Sequence, residues 1–178
     1  MKVIEQEIHS LKNSISEMWA LVHQQLYNAG EAMLTGDKEL AYKVISRERR
    51  VNAFELKIDS DCEDIIALYA PVAIDLRFVL AMYKINTNLE RLGDFAESIA
   101  RFAGNLPEGE PIDPQLVKET RVEEMLSELL SMISLTKEAF EKESSEIASR
   151  IFLKDNLIDE INHNSTAIIA KYIEEHKG

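Results

Sequence analysis

The sequence has few residues that break helices or form covalent crosslinks. In 178 residues there are six glycines, four prolines and one cysteine, and three of the prolines fall between 107 and 114. This scarcity favours long, uninterrupted helices. The lone Cys62 excludes an intramolecular disulfide and a cysteine-based metal site, and it is compatible with a reducing cytoplasm.

Long apolar runs are also missing. The longest, IIALYAPVAI, is interrupted by Pro71 and is far shorter than the roughly 18 residues that a membrane-spanning helix needs. The N-terminal stretch MKVIEQEIHS lacks the apolar core of a signal peptide. We therefore expect a cytoplasmic protein without direct membrane insertion.

The charge balance is strongly acidic. Thirty-two acidic and twenty basic residues give a net charge of −12. Nucleic acids and anionic lipids are bound through Lys and Arg, so neither is expected as a partner. Cations and basic protein surfaces are favoured instead. Hydrophobic residues make up 46% of the chain, enough for a globular core.

Apolar residues recur at spacings of four and three, which predicts an all-α protein without strands. Gly36 and Asp37 suit the end of one helix and the N-cap of the next, and Pro71 stops the second helix. The five expected helices cover about 4–34, 38–69, 73–103, 115–144 and 146–178.

The last two helices repeat the first two. An offset of 107 residues aligns Ile15 with Val122, and ELAYKVISRERRVN with EIASRIFLKDNLID. The alternative is that any two amphipathic helices can be aligned, but here polar positions match as well. The third helix should then recur at about 180–210, beyond the last residue. We expect two repeated three-helix bundles, the second lacking its last helix: a first unit at 1–105, a linker at 106–114 and an incomplete second unit at 115–178.

Acidic residues interrupt the apolar stripes. Glu48 and Glu55 occupy the stripe of the second helix, with Asn52 and Asp59 one turn beyond each of them. In the other helices Glu90 and Asp94 flank Gly93, and Asp155 and Asp159 have the same spacing. A glycine inside a helix costs roughly 0.5–1 kcal/mol relative to alanine, so Gly93 suggests close packing or a site.

Two explanations of these carboxylates remain open. Either bases form ion pairs with them, or they bind a cation, for which oxygen ligands suit magnesium, manganese or iron. The available bases are Arg47, Arg49, Arg50, Lys57, Arg77, Lys84 and Arg91.

Enzymatic motifs are scarce. A ferritin-like di-iron centre would need two Glu-x-x-His motifs, and only Glu160 and His163 have this spacing. Glycine-rich phosphate loops and nucleophile motifs are absent from the sequence. We therefore expect a protein that is not an enzyme.

The motifs PVAIDLR and LERLGD, with RERRVNAFELKID and KDNLID, closely resemble those of the PhoU family over essentially the whole chain. The resemblance implies a regulator that restrains phosphate uptake and the phosphate-starvation response. It implies two partners, the ATPase-containing phosphate ABC transporter and a sensor histidine kinase, through which the protein would lie at the inner membrane.

The resemblance also implies metal clusters of iron, manganese, magnesium or zinc. The first site would use Glu90 and Asp94, with Glu48, Asn52, Glu55 and Asp59 opposite, and Asp155 and Asp159 would be half of a second. The missing last helix should leave an apolar groove on the second unit, where dimerisation or helix exchange is expected. A helical adaptor with ion-paired carboxylates and no metal is the alternative.

Overall fold

The computed structural model describes residues 3–107 and 111–176, and within these ranges the chain forms helices and no strand. The helices are α1 Val3–Thr35, α2 Lys38–Tyr69, α3 Ala73–Asn105, α4 Pro114–Thr120, α5 Val122–Glu141 and α6 Ser145–Glu175. The all-α prediction is confirmed. None of the helices described is long and apolar enough to cross a membrane.

The predicted boundaries of the first helices are confirmed. Asp37 caps α2, its side chain accepting a hydrogen bond from the backbone N–H of Leu40 at 2.9 Å, which satisfies one of the free donors of the first turn. Gly36 has a φ of 71°, a conformation that glycine adopts without strain. At the other end, α2 stops at Tyr69, and Ala70 turns the chain with a φ of 44° just before Pro71.

Helices α1, α2 and α3 pack into one bundle, each against the other two. The apolar stripes predicted from the 4,3 spacing form its core. The side chains without solvent exposure include Leu11, Ile15, Met18, Val22, Val44, Val51, Ile58 and Val79. Burying this many aliphatic side chains is the main stabilising contribution to the bundle.

The single helix expected over 115–144 is wrong, because the chain forms two helices that meet at Arg121. Arg121 has a left-handed φ of 53°, and its guanidinium pairs with Glu124 and with Glu160 of α6. Asp113, which caps α4, also accepts a hydrogen bond from the Tyr172 hydroxyl at 2.8 Å. These contacts with α6 redirect the chain, and the apolar period along α4 and α5 does not reveal them.

Helix α5 attaches the α5–α6 hairpin to the first bundle. The Trp19 indole N–H donates to the carbonyl of Ile133 at 3.2 Å, and the ring stacks on Phe140 at 5.7 Å between centroids. Lys12 pairs with Glu143 at 2.7 Å and lies over the Phe140 ring. Trp19, which the sequence predicts to pack in the core, therefore also contacts α5.

Most hydrophobic side chains of the α5–α6 hairpin are at least partly exposed. Among the hydrophobic side chains described in α5 and α6, only Ala139 and Ile161 are buried. Phe152 and Leu153 are 78% and 76% exposed. Apolar surface of this kind is consistent with the expected groove. Dimerisation there stays a prediction.

We predict that Trp19→Phe weakens the attachment of α5. The variant loses the hydrogen bond to Ile133 and part of the stacked area, so the free energy of unfolding should fall by roughly 1–2 kcal/mol. Urea denaturation measures this. Phe95→Leu, at an exposed aromatic residue of α3, is the control, and an equal loss in both variants would contradict the assignment.

Candidate functional site

The candidate site lies along the seam between α2 and α3, which run antiparallel. The helices approach closely at Gly93, where a Cβ atom would stand 2.8 Å from Val51 Cγ1 and 3.6 Å from Glu48 Oε2. The first distance is shorter than real side chains tolerate, so alanine at this position would push the helices apart. The prediction that Gly93 permits close packing is confirmed.

Glu48 is the buried carboxylate of this seam. It is only 5% exposed, and neither of its oxygen atoms has a hydrogen-bond partner. Burial, followed by the negative charges of Glu97, Asp94 and Glu90, raises the pKa of Glu48 to about 7. A buried carboxylate without a donor is costly when ionised, because burial removes its hydration and nothing replaces it.

The pKa values of two further carboxylates at the seam are raised by burial and by neighbouring charges. Burial, then the charges of Asp59 and Asp94, raises the pKa of Glu55. Burial, then Asp94 and Glu55, raises the pKa of Glu90, whereas Arg91 lowers it by a smaller amount. We call the set Glu48, Glu55, Asp59, Glu90, Asp94 and Glu97 the acidic seam. Its members come from both helices, and burial together with the neighbouring negative charges raises the pKa of three of them, Glu48, Glu55 and Glu90.

The ion pairs that would explain the carboxylates do not reach most of the acidic seam. Lys57 pairs with Asp61, one turn further along α2, and also donates to the Ser14 hydroxyl of α1. Within 3–107 and 111–176, no Lys or Arg side chain forms a salt bridge with Glu48, Glu55, Asp59, Glu90 or Asp94. These five carboxylates therefore have no ion pair within the described residues, and the charge of Arg91 offsets only a small part of the rise in the pKa of Glu90.

Two residues of the site were missed by the sequence reasoning. Glu97 extends the Glu90 and Asp94 series by one more step of three, and its carboxylate binds Arg101 at 2.6 Å. Asn86 is fully buried, and its amide nitrogen donates to Asp59 Oδ1 at 2.7 Å and to the carbonyl of Glu55 at 3.0 Å. Glu97 could have been predicted from its spacing to Glu90 and Asp94. Asn86 could not, because a single Asn on an apolar stripe does not indicate which side chain it will contact.

The remaining predicted residues have different surroundings. Asn52 is exposed on α2, next to the seam. Asp155 and Asp159 are exposed on α6, and the structure brings no other predicted site residue to them. The second site is therefore not assembled within the described part of the chain.

The carboxylates of the acidic seam are not arranged as a metal coordination sphere in this structure. Among the residues described, no group of three or more His, Cys, Asp and Glu side chains is arranged to hold a metal ion. Like charges repel, and Glu55, Glu90 and Asp94 are at least partly exposed on rotatable side chains. A cation would have to draw them towards the fixed Glu48. The oxygen donors and the unpartnered Glu48 carboxylate fit such a cation.

Comparison with known proteins identifies the fold. A family model described as PhoU domain matches residues 15–103, the range that contains the whole acidic seam. A PhoU homologue of Aquifex aeolicus, named a phosphate-specific transport system accessory protein, is 33% identical over 171 residues. The match covers 95% of this chain and 75% of that protein. The chain belongs to the PhoU family.

Solved structures of PhoU proteins agree. The phosphate transport system regulatory protein PhoU of Streptococcus pneumoniae superposes with a TM-score of 0.86 at 27% identity, covering 98% of this chain and 81% of that one. PhoU of Pseudomonas aeruginosa gives a TM-score of 0.89 at 27% identity, covering 97% and 81%. The PhoU family is a family of accessory and regulatory proteins, so the expectation of a protein that is not an enzyme is confirmed.

We predict a stability profile that depends on Glu48. Its pKa of about 7 lies above the ordinary 4.5, so the folded state binds this proton more tightly than the unfolded chain. The stability that protonated Glu48 contributes is complete below about pH 4.5 and is lost as the pH rises through 7. In chelator at about pH 8, Glu48→Gln should be more stable than the wild type by on the order of 2 kcal/mol, after allowance for screening.

The measurement is urea denaturation at a series of pH values. Glu63→Gln, at an exposed glutamate on the same helix, is the matched control. Because the pKa values of Glu55 and Glu90 are also raised, the free energy of unfolding should still depend on pH to some extent in every variant. Identical profiles for Glu48→Gln and the wild type would refute the role of Glu48.

Proposed function

We propose that this PhoU-family protein is an accessory protein of a phosphate-specific transport system, and that divalent cations bound at its acidic seam belong to its working form. The observation that carries the cation proposal is Glu48, a buried carboxylate with two unpartnered oxygens whose pKa is raised by burial and by the carboxylates beside it.

A cation would relieve the electrostatic cost of the acidic seam. Each pKa that is raised there marks a carboxylate whose charged form is disfavoured by burial and by neighbouring charges. A divalent ion replaces this repulsion with attraction, so it competes with protons for the same oxygens. Oxygen ligands favour magnesium, manganese or iron, with zinc also within reach of carboxylates.

The ligands of that cation are proposed by position. Glu90 and Asp94 approach from α3, while Glu48, Glu55 and Asp59 face them from α2, with Asn52 at the outer edge. Asp155 and Asp159 are proposed as one half of a second site. Both side chains are exposed, and no group of three or more His, Cys, Asp and Glu in the described part of the chain is arranged to hold a metal ion there, so we propose that this second site is the weaker binder.

The transport role is taken from the relatives. The proteins of Aquifex aeolicus and of Escherichia coli K12, the latter 34% identical over 154 residues, carry the name of accessory protein of the phosphate-specific transport system. We propose that this chain acts likewise in the cytoplasm as a negative regulator. Its partners would be the transporter ATPase and a sensor histidine kinase, and it would reach the inner membrane through them. A homodimer, formed over the exposed apolar face of the α5–α6 hairpin, is proposed as the working assembly.

The second candidate is a helical adaptor without metal. Its supporting observation is the Glu97 and Arg101 pair, in which one carboxylate of the acidic seam is neutralised by a base. For the other five carboxylates no such pair exists in the described part of the chain, so cation binding is favoured.

We predict that the purified protein, expressed without a metal-binding tag, contains two or more divalent metal ions per chain. Glu90→Ala combined with Asp94→Ala should lose the ions bound at the acidic seam, because both proposed α3 ligands are removed. Elemental analysis with and without chelator is the measurement. The exposed pair Glu63→Ala and Asp64→Ala on α2 is the matched control. Metal-free wild-type protein would favour the adaptor, whereas metal fully retained by the double variant would show that the acidic seam is not the binding site.

We predict a matching effect in cells. Replacing the gene with the Glu90→Ala and Asp94→Ala variant should abolish the repression of a phosphate-starvation reporter under high phosphate, with protein levels unchanged on an immunoblot. The Glu63→Ala and Asp64→Ala control should repress normally. Intact repression by the seam variant would show that the acidic seam has no regulatory role.

A further inference from the structure

Asn86 is a buried polar residue that the proposed ligand set does not include. It lies on α3, between the turns that present Phe78 and Leu89 to the core, and has no solvent exposure. Its amide nitrogen donates to two acceptors on α2, the Asp59 carboxylate and the Glu55 carbonyl. It therefore contacts one proposed ligand directly and the backbone of another.

The orientation of the amide is determined by its partners. A carboxylate and a carbonyl can only accept hydrogen bonds, so the nitrogen must face them and the carbonyl oxygen must face away. That oxygen, Asn86 Oδ1, is buried without a partner. An unpartnered buried acceptor lowers stability, so an apolar residue would serve packing better at this position.

Gln25 provides a comparison within the same bundle. It is also fully buried, its amide nitrogen donates to the carbonyl of Val44 on α2 at 2.8 Å, and its Oε1 has no partner. Both amides thus donate a hydrogen bond from a neighbouring helix to a backbone carbonyl of α2. The difference is that Asn86 also holds a carboxylate.

We propose that Asn86 is a positioning residue for the acidic seam: its amide engages Asp59 Oδ1 and leaves Oδ2 available to a divalent cation. Its second hydrogen bond, to the Glu55 carbonyl at 3.0 Å, anchors the amide on α2. Hydrogen bonds of this kind orient metal ligands in protein sites, and their loss typically weakens binding about 10–100-fold. This inference rests on the cation binding proposed above.

The test compares Mn²⁺ affinity in full-length variants by isothermal titration calorimetry. Asn86→Leu preserves the shape of the side chain but removes its donors, and should weaken Mn²⁺ binding about 10–100-fold. Gln25→Leu removes the analogous amide away from the seam, and should bind Mn²⁺ like the wild type. Thermal melts in chelator report the structural cost of each variant separately.

A double-mutant cycle with Asp59→Ala separates positioning from general packing. If Asn86 acts through Asp59, adding Asn86→Leu to Asp59→Ala should change the affinity by less than about two-fold. Should Asn86→Leu fail to fold, Asn86→Ser, which is too short to reach Asp59, takes its place in the same cycle.

The outcomes are distinct. Wild-type protein that binds no Mn²⁺ would refute the proposed cation binding and this inference with it. Wild-type binding that Asn86→Leu leaves unchanged would refute the inference alone. Equal weakening by Gln25→Leu, or full weakening in the Asp59→Ala background, would assign Asn86 a purely structural role and would also refute it.

Discussion

The close approach of α2 and α3 at Gly93 is the constraint on which the site depends. Because Gly93 has no side chain, Val51 can approach to where it would clash with a Cβ, and the Glu48 carboxylate lies beside the same position. This approach encloses Glu48 and removes water from its carboxylate. It also brings the acidic residues of α3 within electrostatic range of those on α2. The raised proton affinities of Glu48, Glu55 and Glu90 all follow from this packing.

The distribution of bases makes this seam unlike the rest of the surface. Elsewhere, acids and bases pair one turn apart along a helix, as in Lys43 with Glu39 and Arg150 with Glu146. Such exposed pairs contribute little stability each, but they show that the chain has bases available. Along the acidic seam, Glu97 alone has such a partner among the residues that the structure describes. The protein thus concentrates unbalanced negative charge in one partly buried place, which is the arrangement that a cation site needs.

The two halves of the chain differ in how completely they are packed. The three-helix bundle has a closed core and contains the acidic seam, whereas the α5–α6 hairpin packs on that bundle mainly through the contact of α5 with α1. Trp19 of α1 stacks on Phe140 of α5, and Lys12 of α1 forms an ion pair with Glu143 just after α5. Since α1 also borders α2 and α3, a change at the exposed face of the hairpin has a packed route to the bundle that carries the site.

The sequence by itself determined the helical class, the ends of α1 and α2, the core stripe and the candidate carboxylates. These depend on local period, capping and proline geometry, which act over a few residues. Only the tertiary structure decided the break at Arg121, which depends on contacts with Glu160 and on the Tyr172 and Asp113 bond. It also decided that Glu48 is the buried acid, and that Asn86 meets Asp59. Charges and hydrogen bonds between helices depend on how the faces are rotated against each other, and that rotation is set by packing across the whole bundle rather than by any single helix.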